Sequence, residues 1–464
     1  MFEKMKRIAA LLLVVVMVFS LTACKKNKND DTSSDYIEYV TEYEYVTEEG
    51  EEADGEEGDG GSKKTPSKKD PSKTSDPGKK PDPTPDPNTD PYVGKTVRYA
   101  VWADHRKEVI DAFTKKTGIN VKIDSTSQGD YTNTIASKIA SATDKNPGPD
   151  VFYCNSFFPW CISVIQPITA MELDLSDPMW DQGTIKWSTI KGKPYLINTI
   201  GNYYTEVDCL YFNKNVLKQA GVPESMYPDK QYEAGTWTWD AMALIMKQVK
   251  EQLGETYTGA YIDYTSMLAS AGVTNFVFKN GKFYNALDQH AIDVNTKLAE
   301  WYTAGYVKGY GMSYRDEFIS GKTAFAVTHD YGLKKEGYWK NMNANHLGFT
   351  YIPDFSATCK SQTSGLNKTW ALCKGSSEPV AAGKFLRYYL DVNNYKTSEL
   401  FLNKEAESFF FKLTTGVGMD QKVVHLEVEG LYCATTPDQV ATKVKAAQAT
   451  DYAEYNELID KNTK

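Results

Sequence analysis

The sequence predicts an α/β fold with a parallel sheet, because strand-like and helix-like segments alternate from residue 95 onward. Apolar residues recur at strand period in the first segment and at helical spacing in the second, which ends at Gly118, a common helix stop. The predicted order is strand, helix, strand, helix and strand, over 96–101, 105–116, 119–123, 130–142 and 150–153. With 464 residues, the chain exceeds what one hydrophobic core usually supports, so we expect two or more domains.

The composition narrows the class of protein. Apolar residues make up 41% of the chain, which is enough for sizeable cores, and the net charge of −9 argues against nucleic acid or an anionic membrane surface as the main partner. The chain also holds 31 tyrosines and nine tryptophans. Most of these aromatic side chains should pack cores, but their number also fits a site that stacks rings on a ligand.

The first residues are predicted to be a targeting segment and not part of the fold. A basic start is followed by an apolar run over 8–19, too short to span a membrane as a mature helix but typical of a signal peptide. The run ends in LTAC at 21–24, which resembles a bacterial lipobox. We therefore predict a signal peptide over 1–23 and lipidation of Cys24, against the alternative of a plain signal peptide or membrane anchor that happens to contain a cysteine.

Residues 24–94 are predicted to be a disordered tether, acidic at first and then rich in Lys and Pro. Acidic residues crowd 48–59, and Lys, Ser, Asp and Pro fill 63–91, so the segment cannot bury enough apolar surface to fold. Residues 36–46 differ, because apolar and acidic residues alternate there at strand period. They could form a stray strand or a contact patch, and the sequence does not decide between the two.

In parallel α/β sheets, ligands bind outside the carboxyl ends of the strands. Two predicted loops follow such ends, 102–106 and 155–160. Both carry aromatic and polar residues, and the candidate ligand-binding residues in them are Trp102, Asp104, Asn155 and Trp160. The alternative is that the two tryptophans pack in the core.

Several motifs occur in an order that resembles the extracellular solute-binding protein family of sugar ABC transporters, the maltose-binding-protein-like lipoproteins. The early ones are FTKKTGI at 113–119, IASKIAS at 135–141 and PDV at 149–151. The later ones are IKGKPY at 190–195, LYFNK at 210–214, GVP at 221–223, TWD at 238–240, FISGKTAF at 318–325 and EPVAAGKFL at 378–386. Each motif alone is weak, and it is their order that makes the match specific. Nothing past about residue 400 matches.

The resemblance implies a two-lobed periplasmic-binding-protein-like fold that closes on its ligand at a hinge around a central cleft. By analogy, lobe 1 would comprise 95–206 and 350–392, and lobe 2 would comprise 207–349 and 393–464. The chain would cross between lobes near 204–208, 347–353 and 390–394.

The resemblance also nominates further ligand-binding residues. Counted from Gly321, residues 328–331 fall on the turn whose aromatic ring stacks on sugar in this family. Tyr331 would stack and Asp330 would accept sugar hydroxyls, although a role in satisfying the turn is the alternative for Asp330. The approach to the hinge adds Asn202, Tyr203 and Glu206, and the late loop adds Trp370.

The function that the resemblance implies is capture of a carbohydrate outside the cell, by a monomer lipid-anchored to the outer face of the cell membrane, for ABC transporter permease subunits. No enzyme activity, cofactor or metal is expected. The alternatives are a surface-anchored glycoside hydrolase, a binder of a non-sugar solute, and a receptor partner that senses the same ligand. Hydrolases need two carboxylates at set spacing, and no segment nominates such a pair.

Three other interpretations concern packing. Trp237 and Trp239 are predicted to pack a helix start that Thr238 caps, and Trp301 is predicted to be core. His105 and Arg106 are interpreted as surface residues at a helix start. The mature part holds six cysteines without metal-like spacing, and we expect most of them to be free thiols: Cys154, Cys161, Cys209, Cys359, Cys373 and Cys433. Cys154 and Cys161 could form a local pair or remain buried thiols.

Overall fold

The structure is a computed structural model of the chain. The structure describes residues 90–102, 106–126, 131–154, 160–199, 206–274, 276–279, 281–309, 313–359, 365–366, 369–394, 400–415, 436–449 and 452–463. The signal peptide, Cys24, the tether up to residue 89, the 36–46 segment and Cys433 lie outside these ranges. All the elements below belong to one compact unit that contains residues 91–464.

Sixteen strands occur in the described residues. Their bounds are β1 Thr96–Val101, β2 Asn120–Ser125, β3 Val151–Tyr153, β4 Ile165–Gln166, β5 Thr189–Ile190, β6 Lys193–Pro194, β7 Leu196–Ile197, β8 Glu206–Asn213, β9 Thr258–Ile262, β10 Phe276–Lys279, β11 Lys282–Asn285, β12 Val307–Lys308, β13 Thr323–His329, β14 Leu347–Thr350, β15 Gly365–Leu366 and β16 Trp370–Cys373. They form two six-stranded sheets and two small hairpins, β5–β6 and β10–β11.

The first sheet has the order β2-β1-β3-β16-β4, with β7 also paired to β16. Strands β1, β2 and β3 are parallel, as the alternating sequence pattern predicts, whereas β16 runs antiparallel to β3, β4 and β7. The second sheet has the order β12-β9-β13-β8-β14, with β15 also on β8. There β12, β9 and β13 are parallel and β8 is antiparallel to its neighbours, so both sheets are mixed.

Thirteen α-helices cover the sheets in the described ranges. They are α1 Lys107–Thr117, α2 Tyr131–Ala140, α3 Gln182–Trp187, α4 Lys214–Gln219, α5 Pro228–Glu233, α6 Trp239–Leu253, α7 Tyr264–Ser270, α8 Gln289–Thr303, α9 Tyr314–Ile319, α10 Pro379–Tyr389, α11 Lys404–Thr415, α12 Pro437–Gln448 and α13 Ala453–Asn462. None of the helices in the described residues is both long and apolar enough to cross a membrane.

Local sequence signals explain where several helices begin and end. Helix α1 stops at Gly118, whose φ of 71° is the left-handed conformation that glycine adopts without steric cost. Helix α6 begins after Thr238, whose side chain accepts a hydrogen bond from the backbone N–H of Ala241 at 3.3 Å. Trp239 and Trp301 are buried and pack against each other with ring centroids 5.1 Å apart. The predictions of a capped helix start and of a core Trp301 are therefore confirmed.

Within the described residues, the chain passes between the two sheets at several points. It leaves the first sheet at β7 and enters the second at β8, returns between β15 and β16, and goes back between α10, which packs on the first sheet, and α11, which packs on the second. Before the return, Asp354 forms a β-bridge with Thr238, and the Cys359 sulfur contacts the carbonyl of Ala271. The lobe boundaries drawn from the sequence stay a prediction.

The last two helices pack in different places. Helix α12 contributes Val440 and Val444 to the core around the second sheet. Helix α13 contributes Ile459 to a cluster with Cys161 and Ile162 on the first sheet's side, and Asp460 forms an ion pair with Lys191 at 3.1 Å. The C-terminal segment, which no sequence motif matched, therefore contacts both halves of the fold.

Candidate functional site

The carboxyl edge of the first sheet carries a cluster of aromatic rings. Trp102 directly follows β1, and its ring lies 4.7 Å from that of Tyr131 and 4.5 Å from that of Tyr153, the last residue of β3. Because β16 is antiparallel to β3, its first residue, Trp370, is paired with Tyr153 at the same edge. The structure thus brings together two predicted site residues, Trp102 and Trp370, through Tyr153 between them.

These two tryptophans differ in burial. Trp370 is 1% exposed, and its indole N–H donates a hydrogen bond to the hydroxyl of Tyr99 at 3.1 Å, so it is a core residue of this edge. Trp102 is only partly buried. Tyr131 below it is buried and donates its hydroxyl to the carbonyl of Ala100 at 2.9 Å. Burial raises the pKa of Tyr131 well above its usual value, which keeps the phenol neutral.

Arg106 lies next to this edge and was misread from the sequence as a surface residue. Its guanidinium is buried 4.3 Å from the centroid of the Tyr389 ring and donates a hydrogen bond to the Tyr389 carbonyl. Tyr389 is the last residue of α10, so the cation sits at the negative end of that helix dipole. The stacking and the dipole explain how an arginine is accommodated there, and neither can be recognised from local spacing.

The corresponding edge of the second sheet carries charged groups. Strand β13 ends at His329, which is paired in register with Asp208 of β8, and the ring Nδ1 lies 2.6 Å from a carboxylate oxygen of Asp208. Asp208 is 2% exposed and the His329 side chain 23%. A buried carboxylate hydrogen-bonded to a half-buried imidazole can form further hydrogen bonds with ligand hydroxyls. The sequence analysis did not select this pair.

Asp330, a predicted ligand residue, follows His329 and is fully buried. One carboxylate oxygen accepts a hydrogen bond from the backbone N–H of Val207 at 2.7 Å, and the other lies 3.3 Å from the ammonium of Lys334. Burial raises the pKa of the neighbouring Cys209 thiol, and the carboxylates of Asp330 and Asp208 raise it further. These contacts of Asp330 join the turn after β13 to the start of β8.

Tyr331 lies in the 3-10 helix Asp330–Leu333 that follows β13, with its ring half-buried. The ring packs edge-on against Tyr338 with centroids 5.1 Å apart, and the Lys334 ammonium lies 5.4 Å from its centroid. Its hydroxyl donates a hydrogen bond to the carbonyl of Glu336 at 3.0 Å. These contacts hold the ring in one orientation, as a stacking platform requires.

The two edges lie close together, because the chain passes between them within a few residues. Leu366 pairs with Glu206 at the start of β8, and Trp370, four positions later, pairs with Tyr153 at the end of β3. Four residues span at most about 14 Å. The aromatic edge and the charged edge therefore flank the same hinge region.

The remaining predicted site residues lie partly outside the described residues. Asp104, Asn155, Asn202 and Tyr203 lie outside the described residues. Trp160 begins a 3-10 helix and Glu206 begins β8, but only their backbone positions are described. Both positions are at the edges just described. Within the described ranges, no group of three or more His, Cys, Asp or Glu residues is arranged to hold a metal ion.

Comparison with known families identifies the fold. The family of bacterial extracellular solute-binding proteins matches residues 99–392, which is more than half of the chain and contains both sheets and both edges. The chain belongs to this family. The family consists of binding proteins with two lobes, so the family and fold expected from the sequence motifs are confirmed. No curated protein matches the sequence at a significant level.

Solved structures of solute-binding proteins share this fold at low sequence identity. The GacH receptor of Streptomyces glaucescens, solved unliganded and with acarbose, has a TM-score of 0.57 and 16% identity, over 79% of this chain and 98% of that one. The cyclic alpha-maltosyl-1,6-maltose binding protein of Arthrobacter globiformis has a TM-score of 0.55 and 13% identity, over 79% and 97%. The sugar-binding protein MalE of Xanthomonas citri has a TM-score of 0.56 and 14% identity, over 79% and 96%.

Proposed function

We propose that the chain captures a carbohydrate outside the cell by closure of two lobes and delivers it to an ABC importer, without catalysing a reaction. The observation that carries this proposal is the pairing, at one hinge region, of an edge with aromatic rings and an edge with buried charged pairs. A sugar presents apolar C–H faces to rings and hydroxyl groups to carboxylates, so it needs both kinds of edge. Lobe closure at the hinge would remove such a ligand from water.

The ligands of similar solved structures support the substrate class. They are acarbose, a cyclic maltosyl-maltose and a sugar, each a ligand of a protein with this fold. At 13 to 16% identity, the likeness concerns the fold, and the ligand of this chain rests on its own residues. The partly exposed Trp102 and the fixed Tyr331 are the rings that we propose as the stacking surfaces.

We propose two roles among the predicted site residues. Trp102 and Tyr331 contact the ligand, together with Asp104, Asn155, Trp160, Asn202, Tyr203 and Glu206, which are placed at the same edges by sequence. Asp330 and Trp370 hold that site in shape, because the contacts of Asp330 go to Val207 and Lys334 and those of Trp370 to Tyr99 and Tyr153. His329, bonded to Asp208, joins the proposed ligand contacts.

The segments before residue 95 complete the proposal. The lipobox-like LTAC at 21–24 supports lipid attachment at Cys24, and the Pro-rich stretch supports a tether that lifts the binding lobes off the membrane. The permease subunits of an importer are the proposed protein partner, with one monomeric binding protein docking at a time.

A thermal-shift screen tests the function directly. The protein is heated with mono- and oligosaccharides, and in parallel with amino acids, polyamines and metal ions. A ligand at about 100 times its Kd stabilises the folded state by about 2.7 kcal/mol, which raises the midpoint by a few degrees. We expect a sugar to give this shift and to be recovered chemically unchanged.

Two outcomes would count against the proposal in different ways. A shift with a non-sugar solute only would keep the binding-protein fold and discard the substrate class. A sugar that is consumed during the assay would indicate a glycoside hydrolase instead of a binding protein.

A further inference from the structure

Two cysteines of the first sheet's carboxyl edge bring their sulfur atoms into contact. Cys154 follows β3 and its backbone N–H donates a hydrogen bond to the carbonyl of Thr369 at 2.6 Å. Cys161 lies in the 3-10 helix Trp160–Ser163. The two Sγ atoms are 3.3 Å apart, and both residues are thiols, with 0% and 7% of their surface exposed.

We propose that Cys154 and Cys161 are a site of covalent modification, at which the exported protein forms a reversible disulfide. A disulfide requires sulfur atoms about 2.0 Å apart, so the two must approach by about 1.3 Å. Rotation of two side chains supplies such a movement while the backbone of Cys154 stays bonded to Thr369. Disulfides form and persist outside the cytoplasm. The proposal uses the extracellular location and does not depend on which solute is bound.

The chemistry is exchange with a small-molecule disulfide as oxidant. The Cys161 thiol loses its proton, and the thiolate attacks the oxidant and expels one thiolate. Cys154 then loses its proton, attacks the Cys161 sulfur and expels the second thiolate. The protein has lost two hydrogens as one S–S bond formed, and the oxidant has been reduced to two thiols.

The environment of the pair sets the order of these steps. Burial raises the pKa of Cys154 well above its usual value, and the adjacent Cys161 raises it further, so Cys154 is a poor first nucleophile. Cys161 is the more exposed of the two residues. The bond then closes an eight-residue loop from 154 to 161 and joins the end of β3 to the 3-10 helix.

Peptide mapping of the full chain tests the proposal. Protein purified without reductant is incubated with oxidised glutathione, denatured and alkylated, then digested with trypsin. Both cysteines fall in one tryptic peptide, 146–186. We expect this peptide to be lighter by two hydrogen atoms than the reduced peptide and to carry no alkyl group. Alkylation of both cysteines after this treatment, or glutathione retained on one of them, would overturn the proposal.

Stability gives a second, independent readout. Closing a loop of this size should raise the unfolding midpoint by about 3 °C in a chain of this length, so reductant should lower it by the same amount. Cys161→Ser should abolish the response to reductant and leave Cys154 open to alkylation. The matched control is Cys359→Ser, because Cys359 contacts the carbonyl of Ala271 in another part of the fold, and this variant should keep the full response. An equal response in both variants would contradict the assignment.

Discussion

The two edges at the hinge are built by opposite means. The edge of the first sheet holds its shape through aromatic packing, in which each ring contacts the next in the order Tyr131, Trp102, Tyr153 and Trp370. The edge of the second sheet holds its shape through charges, with Asp208 bonded to His329 and Asp330 paired with Lys334. The stability that packing contributes falls in proportion to the atoms removed. In contrast, a single substitution that leaves a buried charge without its partner strongly lowers the free energy of unfolding.

The comparison predicts that substitutions lower stability by a different rule at each edge. At the aromatic edge, the loss should scale with the volume removed. At the charged edge, removal of one partner should cost more than removal of both.

The largest effect is expected for Trp370→Ala. This change removes a fully buried indole and its hydrogen bond to Tyr99, so it should lower the free energy of unfolding by about 4 kcal/mol. Urea titration followed by circular dichroism measures it. Tyr302→Ala is the control, because this ring on α8 is 38% exposed, and it should cost less than about 0.5 kcal/mol. Similar losses for the two variants would mean that Trp370 is not part of a packed edge.

The next effect is expected for Lys334→Met. It leaves the fully buried carboxylate of Asp330 without the ammonium 3.3 Å away, at a cost of about 3 kcal/mol in the free energy of unfolding. Adding Asp330→Asn should recover more than half of that loss. The matched control is Lys340→Met, whose ion pair with Glu336 is exposed and should contribute less than about 0.5 kcal/mol. A double variant less stable than Lys334→Met alone would contradict the charge argument.

These contacts also show which parts of the fold can be predicted from the sequence. Helix α1 and its stop at Gly118, or the cap at Thr238, depend on residues within one or two turns, so local spacing predicts them. The position of Tyr331 followed from a motif counted from Gly321. In contrast, β16 enters the first sheet between β3 and β4, and no periodicity within Trp370–Cys373 identifies those partners.

The same limit explains what the site prediction missed. His329 and Asp208 are 121 positions apart and meet only through the antiparallel register of β13 and β8. Arg106 is buried by the ring and carbonyl of Tyr389 at the end of a distant helix. A charged residue inside the apolar run 207–212 was the one visible signal for Asp208. Polar residues that interrupt a buried strand therefore merit the attention that the aromatic loops received.

A third prediction concerns binding at the charged edge. If the ring of Tyr331 stacks on the sugar, Tyr331→Ala should weaken the affinity about tenfold, the value of an aromatic contact, while Tyr331→Phe keeps most of it. Phe loses only the hydroxyl that bonds the carbonyl of Glu336 at the surface. Calorimetric titration with the sugar found by screening measures both. Equal losses for Ala and Phe would indicate that the hydroxyl, not the ring, contacts the ligand.

The smallest effect is expected at Glu317, whose contact with the second sheet is half-exposed, in contrast to the buried pair of Asp330 and Lys334. Glu317 of α9 accepts a hydrogen bond from the hydroxyl of Tyr261 in β9 at 2.7 Å and another from Ser313 at 3.1 Å. Burial acts to raise the pKa of Glu317, but these hydrogen bonds and the nearby Lys308 outweigh it and lower the pKa below its usual value. For Tyr261, burial and the bond to Glu317 raise the pKa, so the phenol stays the donor.

The sign of the pH dependence follows from that direction. Because the folded-state pKa of Glu317 is lowered, its contribution is present above the unfolded-state pKa of about 4.3 and is lost as the pH falls through the folded-state value. Glu317→Gln should therefore cost less than about 1 kcal/mol at pH 7, and the gap to the unmodified protein should be smaller at about pH 3. Urea midpoints at both pH values measure this. A gap that widens on acidification would mean that Glu317 is held neutral in the fold, so its contact with Tyr261 would not depend on a carboxylate charge.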